Sequence, residues 1–216
     1  MKKITISLIT ARSTILLVIV SLSLLVLGGW TNPNAQRKAI IQRLTLIKYP
    51  VEVSFKLKGQ PLESTETVLP NEGIRSNEFD ADPDWLKDFT ISVKNVSTKT
   101  ITYVNVNLTF PEVTWHGVPI LHQFFIGVDK DKKFSRPELR LAPNESLDIP
   151  VTTALDEIKT MAKKLDAGSP VENVSKVLVE FHAALFDDET YFEAGEMWRR
   201  NADPNDPQKW IRMKGK

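Results

Sequence analysis

The chain contains no cysteine among its 216 residues. That excludes thiol catalysis, a disulfide framework, a lipidated cysteine anchor and cysteine-ligated zinc or iron–sulfur centres. Histidine is almost as scarce, with His116, His122 and His182 as the only three. No G-x-S-x-G, H-E-x-x-H or glycine-rich phosphate loop is present, so the commoner hydrolase and nucleotide-binding signatures are missing. A Lys/Arg stripe with interleaved aromatics is also lacking, and the formal net charge is only +1. A nucleic-acid binder would show the opposite. What is present is globular: 42% hydrophobic and 25% charged residues leave no room for a disordered chain or a protein of many membrane spans.

The near-neutral total hides a gradient. Residues 1–12 carry Lys2, Lys3 and Arg12, residues 31–48 carry Arg37, Lys38, Arg43 and Lys48, and neither stretch has an acid. The body that follows is mildly acidic. Between the two basic stretches lies the single long apolar run, Ser13 to Trp30, without a charge. As a helix it would reach about 27 Å, close to the ~30 Å hydrocarbon core of a bilayer. The expectation is a transmembrane signal anchor over 13–30 with a cytoplasmic basic flank, 1–12. A cleaved signal peptide is the alternative, weakened by Leu27 and Trp30 around the small residues Gly28 and Gly29. Residues 31–48 read as a basic juxtamembrane linker. Ile40, Ile41, Leu44 and Ile47 within it allow either an amphipathic helix on anionic head groups or a solvated stalk.

From Tyr49 the dominant period is two. Val51, Val53, Phe55 and Leu57 alternate with polar residues, as do Phe89, Ile91 and Val93 and then Val104, Val106, Leu108 and Phe110. The last two runs read as a hairpin joined by Asn95–Thr100 and closed by Pro111, with a bulge near residue 102. Further strands are expected at Ile120–Val128, Leu147–Val151 with Pro150 marking an edge, Val177–Phe186 and Tyr191–Ala194. One helix interrupts, with Thr153 as its cap, Leu155, Ile158, Ala162 and Leu165 on one face, and Gly168 as its stop. Such a series of short strands predicts an all-β fold, an antiparallel immunoglobulin-like β-sandwich with one short crossover helix, over residues 49–195. Residues 196–216 are expected to form an irregular tail packed on the sandwich through Trp198, Trp210 and Ile211.

Ile91-Ser92-Val93-Lys94-Asn95-Val96-Ser97, followed by Ile101 to Val106, resembles the paired strands of bacterial extracytoplasmic immunoglobulin-like modules of the FxLYD type. Phe186-Asp187-Asp188-Glu189-Thr190, Gly195 and Asp203-Pro204-Asn205-Asp206-Pro207 before Trp210 are similar to the carboxyl ends of exported bacterial proteins, which carry Gly where Glu189 stands. The resemblance implies a fold and an address outside the cytoplasm. It brings no catalytic residue.

Candidate chemistry is sparse. Asp80, Asp82 and Asp84 alternate as in the opening of a calcium loop, but Trp85 and Ile91 stand where an EF-hand needs Gly and Glu, so a solvated acidic loop is the competing reading. His182 shares strand parity with Glu180, a pairing found more often in structure than in catalysis. Trp115 and His116, on a Gly/Pro loop, are the candidate partner-binding residues, or a lid on the end of the sandwich. The expected function is therefore a membrane-anchored, periplasmic or extracellular interaction or scaffold module, without catalytic residues, cofactor or resident metal. Its partners would be the membrane, through the N-terminal helix, and a protein. A carbohydrate-binding module of the cell envelope is the alternative, and a hydrolase using His182 and Glu180 ranks third.

Overall fold

The computed structural model describes residues 37–44, 49–69, 73–129, 137–168, 170–203, 205–206 and 208–213. The expected flank 1–12 and membrane segment 13–30 lie outside them. Among the described residues no helix is long and apolar enough to cross a membrane.

Alternating burial builds two sheets around one core. The smaller has the order β3 (Gln60–Pro61), β2 (Val51–Leu57), β6 (Phe89–Asn95), β9 (Ser146–Pro150). Its centre is β6, where Phe89, Ile91 and Val93 are fully buried. The larger sheet has nine strands and forks at β10 (Lys176–Phe186). One side of β10 pairs along its length with β7 (Ile101–Trp115), which pairs in turn with β8 (Val118–Gly127). The other side pairs first with β1 (Arg37–Leu44) and then with β11 (Thr190–Glu193). From β1 the sheet continues to β5 (Ile74–Ala81) and β4 (Thr65–Leu69), and from β11 to β12 (Glu196–Arg200) and β13 (Trp210–Arg212). Phe55, Ile91 and Ile149 of the small sheet share a core cluster with Val106, Leu108, Val179 and Phe181 of the large one. The result is a mostly β, two-layer arrangement.

The single α-helix among the described residues, α1 (Leu155–Lys164), carries the chain from β9 across to β10. Leu155, Ile158 and Ala162 are its buried face, with Asp156 and Glu157 in the first turn and Lys163 and Lys164 in the last, each favourable to the helix dipole. Thr153 does not cap it. Its hydroxyl donates to Pro150 O at 2.7 Å, and Ala154 takes the N-cap position without a side-chain bond.

Four expectations need correction. Residues 37–44 are neither an amphipathic helix nor a stalk but β1, parallel to β10 and antiparallel to β5, so the sheet is not wholly antiparallel. The reason is period two: Ala39 and Ile41 are fully buried, and the arginines sharing their parity work internally. The Arg37 guanidinium donates to Pro83 O at 2.8 Å, Val174 O at 2.9 Å and Asn173 O at 3.0 Å. That of Arg43 donates to Val53 O and Glu66, with the Phe55 ring 5.9 Å away. Second, β6 and β7 are not a hairpin. They lie in different sheets, and residues 96–100 carry the chain between layers, fastened by Asn95. Third, Pro111 does not end its strand. Register slips between Phe110 and Thr114, and β7 resumes to Trp115. Fourth, the tail is not irregular, because 196–200 and 210–212 are ladder strands. The hairpin β4–β5 went unforeseen, since Thr65–Val68 are all exposed and alternation in β5 is confined to Glu78–Ala81. The bulge near 102 is present: Leu185 faces Tyr103 and Phe186 faces Ile101, leaving Thr102 unmatched.

Candidate functional site

Beyond the register slip at Pro111–Val113, β7 and β8 pair on as a short two-stranded arm, Thr114 opposite Pro119 and Trp115 opposite Val118. Its base is fixed, because Val113 is fully buried and Glu112 accepts from Ser175 N at 2.6 Å. Its tip is a two-residue turn. His116 has φ +48 and Gly117 φ +79, the pair of positive values that a type I′ hairpin turn requires. His116 thus serves the turn, histidine being among the residues that tolerate this region. Trp115 and Val118 face each other across the ladder and so stand side by side on one face of the arm. They are 45% and 62% exposed, and Leu121, on the opposite face, is 43% exposed. The indole leans on the His116 ring, centroids 4.8 Å apart. Trp115 therefore does not cover the end of the sandwich. Val118 and Leu121 were not singled out in the sequence, where the apolar run Ile120–Val128 looked like an ordinary buried strand.

A second constellation crosses the outer face of the large sheet. Gln123 Nε2 on β8 donates to Asn107 Oδ1 on β7 at 3.1 Å, and Asn107 Nδ2 donates to Glu180 Oε2 on β10 at 3.2 Å. His182 Nδ1 lies 4.0 Å from Glu180 Oε1, and its Nε2 lies 3.8 Å from Glu193 Oε1 on β11. Tyr191 OH completes the row with a 3.3 Å bond to Glu193 Oε1. His182 holds the Glu180 carboxyl below the ordinary range, against burial and with help from Asn107. The expected His182/Glu180 pair is therefore present, and it is flanked by the Glu193 carboxylate and the Asn107 amide. Beside it lies a small aromatic cluster of Tyr103, Ala183 and Tyr191, with Phe125, Leu185, Trp198 and Trp210 packed against it. Asn105, between the two groups, is 5% exposed, and its Oδ1 meets no hydrogen-bond partner among the described residues. Alternation alone marks Asn105 and Asn107 as outward-facing; their burial depends on neighbouring strands that the sequence did not reveal.

The three aspartates of the calcium-like run do not converge. Asp80 meets Lys38 at 3.1 Å, Asp82 meets Lys58 at 2.8 Å and Asp84 meets Lys87 at 2.6 Å. The hydrogen bond that Lys38 donates to Asp80 raises the Lys38 ammonium, the one that Lys58 donates to Asp82 raises Lys58, and the one that Lys87 donates to Asp84 lowers the Asp84 carboxyl. Each acid is thus engaged by a separate lysine. Among the described residues no group of three or more His, Asp or Glu side chains is placed to hold a metal ion.

Comparison with protein-family models, with characterised proteins and with solved structures finds no match to this chain.

Proposed function

We propose that the protein is a membrane-anchored, extracytoplasmic interaction or scaffold module without catalytic activity, built on an immunoglobulin-like sandwich of the FxLYD kind. The observation that carries the reading is the β7–β8 arm, a braced hairpin that holds Trp115 and Val118 side by side in water. Exposed aromatic and aliphatic side chains held rigidly together are what a protein interface uses as anchors. The strand order supports the immunoglobulin-like assignment: β2–β6–β9 in one layer faces β11–β10–β7–β8 in the other, with a crossover between β9 and β10. The resemblance at Asn95–Ser97 and Phe186–Thr190 falls on a layer crossing and a turn of that same arrangement. The apolar run 13–30 supplies the anchor in this reading, and its short basic flank favours a body outside the cytoplasm.

The test is site-specific photocrosslinking in cells, with p-benzoylphenylalanine replacing Trp115 in one full chain and the exposed Glu52 of β2 in another. A discrete protein adduct from position 115 and none from position 52 supports the module. Equal labelling from both, or none from either, removes it. A second reading, carbohydrate binding, is favoured by the aromatic and amide groups adjoining on the outer face of the large sheet. Glycan binding that is lost in Trp115→Ala or Asn107→Ala would establish it instead.

A further inference from the structure

The chain enters the sandwich at the end where the arm lies. β1 begins at Arg37 and runs parallel to β10, with Ile40 opposite Lys176. β7 runs antiparallel to β10, with Thr109 opposite Leu178, so the last residues of β7 lie at the end where β1 and β10 start. Hydrogen bonds join the two places. The Arg37 guanidinium donates to Asn173 O and Val174 O, and the next residue, Ser175, donates from its N–H and its hydroxyl to Glu112 at the base of the arm. Gly168 N, beyond α1, donates to Thr114 O of the arm at 3.2 Å. The turns at 96–100, 142–145 and 187–189 lie at the opposite end, where Asn144 N donates to Asn95 O at 2.8 Å and Asp187 N to Thr100 O at 3.0 Å. The 15 residues of β7 separate the two ends by roughly 45 Å.

We propose that the arm's partner is an integral protein of the same membrane, met beside the bilayer through an apolar recess that takes the Trp115 indole and Val118. The proposal rests on the interaction reading above, with 13–30 as the anchor, and names the class of its partner. Only residues 31–36 separate Trp30, the last of the apolar run, from Arg37. Fully extended, the chain from Trp30 to Arg37 reaches about 25 Å. The anchor therefore keeps the arm end near the bilayer and leaves the turns at the other end free to stand away from it. The arm's apolar pair lies on its flank, not at its apex. The apex is His116–Gly117, whereas Trp115 and Val118, 45% and 62% exposed, stand one residue back on one face. Lipid below the arm would be met by the apex, which is polar; a neighbour standing in the same bilayer is met by the flank. Size favours such a neighbour as well. Two side chains on a short arm cover far less than the ~1,600 Å² of a standard interface, so a freely diffusing partner would be held weakly. Partners that share one membrane have already given up part of the translational and rotational freedom that association costs.

The test irradiates cells carrying the full chain with p-benzoylphenylalanine at position 115, or at Val96, which is 48% exposed at the far end. Both chains have a protease recognition sequence inserted between Pro33 and Asn34, so that the body can be cut from its own anchor after crosslinking. The membranes are cut and washed in alkaline carbonate, which releases proteins that have no membrane span; uncrosslinked body in the same sample marks complete release. Position 115 should give a discrete protein adduct that stays with the membranes after cutting, its crosslinked peptide adjoining a membrane span of the partner. Position 96 should not give that adduct. Val118→Asp should lower the yield from position 115 at least about tenfold, with circular dichroism unchanged, because it places a charge where an interface anchor stood. An adduct released by the wash, one indifferent to Val118→Asp, or the same adduct from position 96 overturns the proposal, while the protein adduct itself leaves the interaction module standing. A lipid-sized increment alone at position 115, or no adduct, removes both.

Discussion

Replacing Asn95 by alanine tests the layer crossing that gives this chain its sandwich. Asn95 is fully buried at the end of β6. Its Nδ2 donates to Lys99 O at 2.8 Å and Leu141 O at 2.9 Å, while its Oδ1 accepts from Ser97 N at 3.0 Å and Ser97 Oγ at 2.7 Å. Four bonds at about 1 kcal/mol net each set an upper bound near 4 kcal/mol. The true cost is smaller, because Leu141 O keeps its bond from Ile101 N at 2.9 Å and Lys99 O keeps the Ser97 hydroxyl at 3.1 Å. Ser97 is also half-exposed, so water replaces part of what it loses. About 2–3 kcal/mol is expected for Asn95→Ala and about 1 kcal/mol for Ser97→Ala. Asn95→Asp should cost more than alanine, since an ionised carboxylate would face two carbonyl oxygens with no donor of its own. Urea unfolding followed by tryptophan fluorescence measures all three. A loss below about 0.5 kcal/mol for Asn95→Ala, or an Asp variant as stable as wild type, would mean the crossing is not fastened by this side chain.

Other substitutions probe separate links. Gly127 has φ +86, and a Cβ there would fall 2.1 Å from Thr102 O at the β7 bulge, so Gly127→Ala should lose more than about 2 kcal/mol in the same unfolding assay. Glu189 has φ +62 in the β10–β11 turn, closed by Glu189 N donating to Phe186 O at 3.1 Å. Glu189→Gly relieves that strain at some cost in chain entropy, and a gain of about 0.5–1 kcal/mol in thermal unfolding is expected. The depressed Glu180 carboxyl contributes stability that is present above the ordinary carboxylate range, about 4.3, and is lost as pH falls through its lower folded value. The acid-side fall in stability should therefore be shallower in Glu180→Gln than in wild type, while a steeper fall would refute the assignment. Trp85 is nearly fully buried, donates from Nε1 to Val174 O at 3.0 Å and meets the rings of Phe79 and Phe89. Trp85→Ala should cost about 3–5 kcal/mol by differential scanning calorimetry.

Much of the core was legible from alternation, because the apolar residues at every second position of Val51–Phe55, Phe89–Val93 and Val104–Phe110 are the buried ones, although Ser92, Asn105 and Asn107 between them are buried as well. Alternation says which face is inward but not which strand lies alongside, and so β6 and β7 looked like a hairpin although they belong to opposite layers. β1 was hidden by its charges. Arg37 and Arg43 advertise a surface, yet their guanidinium groups reach backbone carbonyls of distant segments while their stems lie beside the core. At the candidate site, Trp115 and the His182/Glu180 pair could be picked out by residue type. Gln123, Asn107 and Glu193 could not, because their meeting depends on the registers of four strands. Val118 lies beyond the slip at Pro111–Val113, which no local pattern signals, whereas the exposed Leu121 sits before it, opposite Thr109 on the outer face.

The claim that the β7–β8 arm is a contact surface is tested most directly by hydrogen–deuterium exchange of the full chain, in native membranes and after extraction into detergent. If the arm is covered by a partner, amides from Val113 to His122 exchange more slowly in the membranes, while those of β6 and β10 are unchanged. Identical exchange across 113–122 in the two states would contradict it.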